Sequence, residues 1–489
     1  MSRFPAAHAA SAGAAASAGA AAARTIEPFA TATHDATARA HALRIRLPGS
    51  KSLTNRHLVL AALAEGTTEL RGILHSDDCD RLQFALMLMG AQFKEKGDLL
   101  QVKGVAGRPN AVELLNLGEG GTPTRFMLAV AALADGETEV DASARMRERP
   151  IGEGVSMLQA LGAQASWGAT AGALPVRVRG VMTGGSIEVG RTASSQFVSA
   201  LMLVAAHCAR GIDLHFTETP TSASYLALSY DALRQAGIEA SLAFGPTIVG
   251  AAHAASQWNG LARITIAPAR VKGYRAVIEP DASSAVYIAA LAALIGVPIE
   301  LTDLPRRGAQ PDFAFLSDLE LRGARVEEVK TASGGVATRV TRQHALRARD
   351  ADYSAAPDAA VMAMVLAGLC DGPSLFTGLA TLRVKESDRI ESVAAGLRAL
   401  GGQVDTGPDW ARVYPLPLQL TPATISSAND HRIAMSFAVL GCARAGVTIA
   451  DPAVVSKSWP SFWTALDLLR TEVVRQNGAP SSSKEQKAE

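Results

Sequence analysis

From Pro48 to Arg56 the chain reads Pro-Gly-Ser-Lys-Ser-Leu-Thr-Asn-Arg, a glycine-containing turn that delivers two cations and three hydroxyl side chains to the start of an apolar run. The unpaired N–H groups at a helix start and the positive end of its dipole attract phosphate or carboxylate, and Lys51 and Arg56 add formal charge. The first glycine of a nucleotide-binding P-loop is absent, so a triphosphate is not the expected ligand. Taken alone, the segment reads equally well as a capped helix with a solvated lysine.

Similar groups recur along the chain. They are Gly118-Glu119-Gly120-Gly121-Thr122-Pro123-Thr124-Arg125, Arg145 to Pro150 with arginines at 145, 147 and 149, Ser194-Ser195-Gln196, Asp281 to Ser284, Pro357-Asp358 and Asn429-Asp430-His431-Arg432. Two further charged segments, Arg383 to Arg389 and Ser456 to Pro460, lie between them. Helix starts of this kind facing one cleft would bring their dipoles and cations onto a single anionic site. Each segment also has a plainer reading. Asp281 is most simply a helix cap, His431 could only hold its neighbours, the Lys385 to Arg389 run could be a solvated face, and the alternating arginines could lie on a surface. The carboxylates and the lone histidine form no recognised ligand spacing, so no metal is expected.

The elements that must position these residues repeat. A polar start leads into about ten apolar residues, then a glycine, then a short alternating strand, and the glycines at 66, 136, 211, 296, 372 and 446 are 70, 75, 85, 76 and 74 residues apart. A second helix ends near Gly90, Gly162, Gly237, Gly323 and Gly401, and the sixth copy offers Phe462 to Arg470 without the glycine. A helical period giving way to alternation across a glycine marks a helix C-terminus followed by a strand. A period above about 70 residues exceeds a solenoid repeat and fits a β-α-β-α-β-β module. Six modules suggest two α/β domains of three. Residues 50–279 are expected to form the first, and 43–49 with 280–475 the second. Helices this apolar belong inside each domain, beneath covering sheets.

The 489 residues are 48% apolar with a formal net charge of +1, which excludes a generally basic, nucleic-acid-coating protein. No apolar run reaches the roughly 18 to 20 residues of a membrane span. Cys79, Cys208, Cys370 and Cys442 have no metal-like pairing and read as buried thiols of a reducing compartment, so a cytoplasmic protein is expected. Residues 1–42 are rich in Ala, Ser, Gly and Thr and are expected to be a disordered extension, with a plastid transit peptide left open. The tail 476–489 is expected to be disordered too.

Pro48 to Arg56, Gly121 to Arg125, Arg147 to Pro150, Ser194 to Gln196, Pro357 to Ala360, Val384 to Arg389 and Asn429 to Arg432 together resemble, in order, the 5-enolpyruvylshikimate-3-phosphate (EPSP) synthase family of the shikimate pathway. The resemblance spans Leu43 to Arg470 and implies two inside-out α/β domains, joined by two crossovers, that close on substrate. It implies transfer of the enolpyruvyl group of phosphoenolpyruvate to the 5-hydroxyl of shikimate 3-phosphate, with no cofactor and no metal; a monomer is expected. By position, Lys51, Ser52, Arg56, Ser194, Ser195, Gln196, Ser222, Asp358 and Lys385 are implied contacts to shikimate 3-phosphate. Lys51, Gly121, Arg149, Gln196, Arg389, Arg432 and Lys457 are the implied phosphoenolpyruvate contacts. Asp358 resembles the base at the 5-hydroxyl, and Glu386 with Lys51 resembles the proton-handling group at the vinyl carbon.

Three positions depart from the family pattern: Glu119 stands for an asparagine, Phe126 for a proline and Thr381 for an asparagine. Glu119 is expected to turn toward Arg125 or Arg149, and Phe126 to reshape its helix. The family is a glyphosate target; Gly121 leaves room for that ligand, and Phe126 leaves its fit open. A relative acting on UDP-N-acetylglucosamine usually pairs its lysine with asparagine and carries a loop cysteine. Here Ser52 follows Lys51 and neither glycine-rich nor arginine-rich loop holds a cysteine. That relative and a non-catalytic anion-binding protein are the alternatives.

Overall fold

Each of the six apolar runs is a helix in the computed structural model, which describes residues 22–29, 42–245, 258–332 and 334–478. The helices are Lys51–Leu63, Gly121–Ala131, Ser195–Val204, Ala282–Ile295, Pro357–Ala367 and His431–Ala443. They are apolar on nearly all sides because they are interior: every residue from Leu53 to Leu63 is buried, as is every residue of Ala282–Ile295 except Ser283 and Leu294. The strands around them alternate buried and exposed positions, as Leu43–Arg46 and Val176–Arg179 do. A sheet with one face on the core and one in water has that pattern. Gly296 ends its helix in the left-handed region, φ 73°, with its N–H donated to the Ala292 carbonyl, a conformation that costs glycine nothing.

The second module shows the plan. Leu114–Asn116 pairs in parallel with Glu137–Asp141, which pairs antiparallel with Val176–Arg179, and Gln164–Trp167 lies at the far edge. All five four-stranded sheets have this order. In two of them the first strand comes from elsewhere in the chain. Arg275–Val277, after the third module, pairs with Thr67–Arg71 of the first, and Leu43–Arg46, before the first module, pairs with Ile299–Thr302 of the fourth. The chain therefore crosses twice between two halves, and the crossing segments hold each other through Ser50 N–H to Glu279 O, 2.8 Å, and Asp281 N–H to Pro48 O, 2.8 Å. Gly49 is required at this crossing, because a Cβ there would lie 1.9 Å from the Gly72 carbonyl oxygen. The two halves have separate cores. One large apolar cluster runs from Leu58 to Ala276, and the other joins Ile26, Phe29 and Leu43 to Leu47 with residues from Ala282 to Val473.

The alanine-rich leader is corrected in part. Among the described residues the sixth sheet has no closing hairpin, only Ala423–Ile425 and Val447–Ile449, and Arg24–Thr25 adds an antiparallel third strand. Ile26 and Phe29 are buried, Arg24 bonds Asp467 and stacks on Trp463, and the Arg470 guanidinium caps Phe29 and donates to the Pro28 carbonyl. Two large apolar side chains order this short stretch despite its alanine-rich surroundings, because an unpaired strand edge and its hydrophobic rim are there to receive them. Residues 1–21 and 30–41 lie outside the described residues. At the other end, Phe462–Gly478 is helical three residues into the segment expected to be disordered, and 479–489 lie outside the described residues.

Candidate active site

The starts of all six interior helices, with that of Arg389–Ala399, open onto one cleft between the halves. Its walls carry seven cations, Lys51, Arg56, Arg125, Arg149, Lys385, Arg389 and Arg432, against four carboxylates, Asp78, Asp281, Asp358 and Glu386. A wall with surplus positive charge and helix N-termini on both sides holds a polyanion.

Arg389 is the hub of the second half. It is 1% exposed and donates to Asp430 from Nε at 2.7 Å, to Asp358 from Nη1 at 2.8 Å and to Glu386 from Nη2 at 2.8 Å. Asp430 in turn caps the His431–Ala443 helix by accepting the Arg432 N–H at 2.9 Å, which fixes Arg432. Arg432 donates to the other Asp358 oxygen at 2.9 Å, the Tyr225 hydroxyl approaches that oxygen at 3.3 Å, and Lys385 Nζ lies 3.5 Å from the first. Burial alone would raise Asp358, but Arg432, Lys385 and Arg389 outweigh it and hold the carboxyl well below the usual range. Glu386 is held low in the same way, against burial, by Arg389, Arg149 and Lys51.

Across the cleft, Lys51 is the first residue of its helix and donates to Asp78 at 3.0 Å. Burial works to lower its pKa; Asp78 and Glu386 reverse that and raise it, so Lys51 stays an ammonium. Lys385 goes the other way, lowered chiefly by burial. His431 is pushed well down, first by burial and then by Lys51 and Arg432, and is neutral near pH 7 with both ring nitrogens unpartnered. Arg149 Nη1 is 3.8 Å from Glu386, and its guanidinium lies over Gly121, where a Cβ would come within 2.6 Å of it. Gly121 is thus the residue that lets an arginine rest on the start of its own helix.

Of the residues expected at the site, Lys51, Ser52, Gly121, Arg149, Ser194, Ser195, Gln196, Ser222, Asp358, Lys385, Glu386, Arg389 and Arg432 all line the cleft. Arg56 lines it with four of its five N–H groups already donated, to Ser229, the Ser52 carbonyl, Ser199 and the Tyr225 carbonyl. Lys457 is not brought to the lining: it donates to the Asn429 carbonyl at 2.9 Å and faces Glu119 at 3.7 Å. Glu119 therefore does not turn toward Arg125 or Arg149, because Arg125 is engaged with Gln196 and the Pro150 carbonyl and Arg149 lies over Gly121 beside Glu386. Phe126 leaves its helix regular and packs under Arg56, ring centroid 5.6 Å from Cζ. Asp281 is the cap it was expected to be, accepting from the Ser284 N–H and hydroxyl at 2.8 Å.

Sequence reading missed Asp78, Tyr225 and Tyr287, all on the lining. Asp78 lies in a run of acids at the start of Asp77–Leu88, which reads as a dipole complement, and neither tyrosine has a local signal. Among the described residues no group of His, Cys, Asp and Glu could hold a metal ion, and no helix is long and apolar enough to cross a membrane.

Fold and site together define a two-half α/β protein built to grip a small polyanion and move protons beside it. The sequence profile of EPSP synthase (3-phosphoshikimate 1-carboxyvinyltransferase) matches residues 39–466, and the chain belongs to that family. A 3-phosphoshikimate 1-carboxyvinyltransferase of Methanosphaerula palustris is 36% identical over 439 residues, 88% of this chain and 98% of the relative. One from Bordetella bronchiseptica is 35% identical over 430 residues, 86% and 93% of the two chains. The solved EPSP synthase of Acinetobacter baumannii superposes with a TM-score of 0.69 at 22% identity, covering 91% of this chain and 98% of the other, which speaks to the fold.

Proposed function

We propose that the chain transfers the enolpyruvyl group of phosphoenolpyruvate to the 5-hydroxyl of shikimate 3-phosphate, releasing phosphate. The observation that carries this is the pairing, in one cation-rich cleft, of two ionised carboxylates, Asp358 and Glu386, with a protonated Lys51. Anion binding alone would not call for buried carboxylates among the cations; proton transfer does.

Shikimate 3-phosphate is read as lying against Ser194, Ser195, Gln196, Ser222, Lys51, Ser52 and Arg56, with its 5-hydroxyl toward Asp358 and Lys385. Phosphoenolpyruvate is read as held by Lys51, Gly121, Gln196, Arg149, Arg389 and Arg432, with Lys457 reaching its phosphate from the rim of the cleft. In the addition step the vinyl CH₂ carbon takes a proton from the Lys51 and Glu386 pair, the 5-oxygen bonds to the neighbouring carbon, and Asp358 takes the hydroxyl proton. The product is a tetrahedral ketal. In the elimination step the C–O bond to phosphate breaks, the leaving phosphate takes up the proton that Asp358 accepted, and a methyl proton returns to the pair, restoring the double bond.

Asp358 is a poor base while Arg432, Lys385 and Arg389 hold it low. The carboxylate and phosphate of phosphoenolpyruvate would draw on Arg389 and Arg432, loosening their hold and raising Asp358 toward the working range as substrate binds. The base is thereby activated by the second substrate.

The two cores are read as domains that meet through Ser224 Oγ to Ala355 O, 2.6 Å, and Arg145 Nε to Glu386 O, 3.0 Å. A cytoplasmic monomer is the expected form, in keeping with four buried free thiols. A coupled assay of phosphate release decides the function. Phosphate should appear with phosphoenolpyruvate and shikimate 3-phosphate, and not when UDP-N-acetylglucosamine replaces the latter. The reverse result, or none with either acceptor, would overturn the reading.

A further inference from the structure

Lys457 and Glu119 belong to different halves, and their ion pair spans the gap between them at 3.7 Å. The neighbouring residues repeat the contact: Ser456 Oγ donates to Asp77 Oδ2 at 2.7 Å. Two acids of the first half thus hold one short turn, Pro452–Lys457, of the second. The Lys457 side chain is only 7% exposed, and an ammonium so buried needs a counter-charge. Among the described residues Glu119 is its ion-pair partner. The separation is longer than a hydrogen bond, so the attraction is Coulombic and open to competition. Glu119 stands two residues before Gly121 and Lys457 one before Ser458, both on the cleft wall. The pair sits at the rim of the anion site.

We propose that Glu119 is an internal anion that occupies Lys457 in the empty protein and gives it up to the phosphate of phosphoenolpyruvate, so that Glu119 sets how tightly the cleft holds that substrate. This rests on the reading of the cleft as a phosphoenolpyruvate site. A phosphate dianion displaces a single partly exposed carboxylate because it brings more charge and more acceptor oxygens to the ammonium. The exchange lowers net affinity by the worth of the pair it breaks. Glu119 therefore sets affinity and touches no reacting atom.

The test is a double-mutant cycle on full-length protein, titrating inorganic phosphate calorimetrically into the unsubstituted chain, Glu119→Gln, Lys457→Met and the double variant. Glu119→Gln should tighten phosphate binding about fivefold, equivalent to about 1 kcal/mol. Lys457→Met should weaken it, and Glu119→Gln should add nothing in that background. An equal gain with Lys457 absent would show Glu119 to be a general repulsive charge, and no gain, or a loss, would show it to be a clasp; either overturns the proposal. Lys457→Gln replaces Lys457→Met in the cycle if the methionine variant does not fold. Turnover of the same proteins with both substrates is read separately. Absent turnover in the unsubstituted chain refutes the functional reading, while the phosphate cycle still decides the role of Glu119.

Discussion

Gly121→Ala puts one methyl group against the arginine expected to grip phosphoenolpyruvate. The added Cβ would lie 2.6 Å from Arg149 Nη1 and 3.0 Å from Cζ and Nη2, where ordinary contact begins at 3.4 Å, so the guanidinium must retreat by about 0.8 Å. The retreat is sterically cheap because the clash is with the far end of a flexible side chain, and the fold should survive with its Tm nearly unchanged. The site should not. Arg149 is 5% exposed and 3.8 Å from Glu386, so a displaced guanidinium loses aim at both the substrate anion and the proton-handling carboxylate. A misplacement of about 1 Å can cost on the order of 100-fold in rate. Steady-state kinetics should show kcat/KM for phosphoenolpyruvate falling by about 10- to 100-fold. The KM for shikimate 3-phosphate, whose expected contacts lie elsewhere on the wall, should stay within about twofold. An unchanged KM for phosphoenolpyruvate in a folded variant, or equal rises for both substrates, would refute the placement of Arg149.

Asp358→Asn should lower kcat by on the order of 100- to 10,000-fold while shikimate 3-phosphate binding, measured by calorimetry, changes little, since a base matters most as the hydroxyl loses its proton. Lys51→Met should abolish turnover and also lower Tm, because it strands the Asp78 carboxylate at 8% side-chain exposure. Lys51→Met with Asp78→Asn should recover the Tm and not the activity. Deleting residues 1–29 removes the burial of Ile26 and Phe29, worth roughly 3 to 6 kcal/mol, and should lower Tm with kcat per folded molecule unchanged. Asp312, 2% exposed, is raised by burial from 3.8 to about 7, so it stabilises the fold while protonated and that contribution is lost as pH rises from 3.8 through about 7. Asp312→Asn should flatten the fall in Tm between pH 5 and pH 8, and an unaltered slope would show that its carboxyl does not titrate there.

The repeat was legible because its signals are local: an apolar run too uniform for a surface helix, then a glycine at a helix end. Gly372, which does not take the left-handed conformation, stands five residues beyond the helix end at Ala367 and just before the strand Ser374–Thr377. The site was legible in part for the same reason, since caps and cations cluster at helix starts. What stayed hidden depends on distant pairing. The Glu119 and Lys457 contact joins positions far apart in sequence, and nothing near either residue signals the other. Arg24 to Phe29 look like leader sequence until the missing hairpin of the sixth module supplies an edge to cover. Tyr225 reaches Asp358 only because the two halves meet, and a lone tyrosine in an amphipathic helix carries no mark of that.

If this cleft joins two phosphorylated substrates and expels phosphate, phosphorus NMR of the purified protein with equimolar phosphoenolpyruvate and shikimate 3-phosphate will show it. The phosphoenolpyruvate signal should be lost as inorganic phosphate grows in equal measure, with the shikimate phosphate resonance shifting to that of a new phosphate ester. Phosphate release without that new ester, or two unchanged substrate signals beside folded protein, would contradict it.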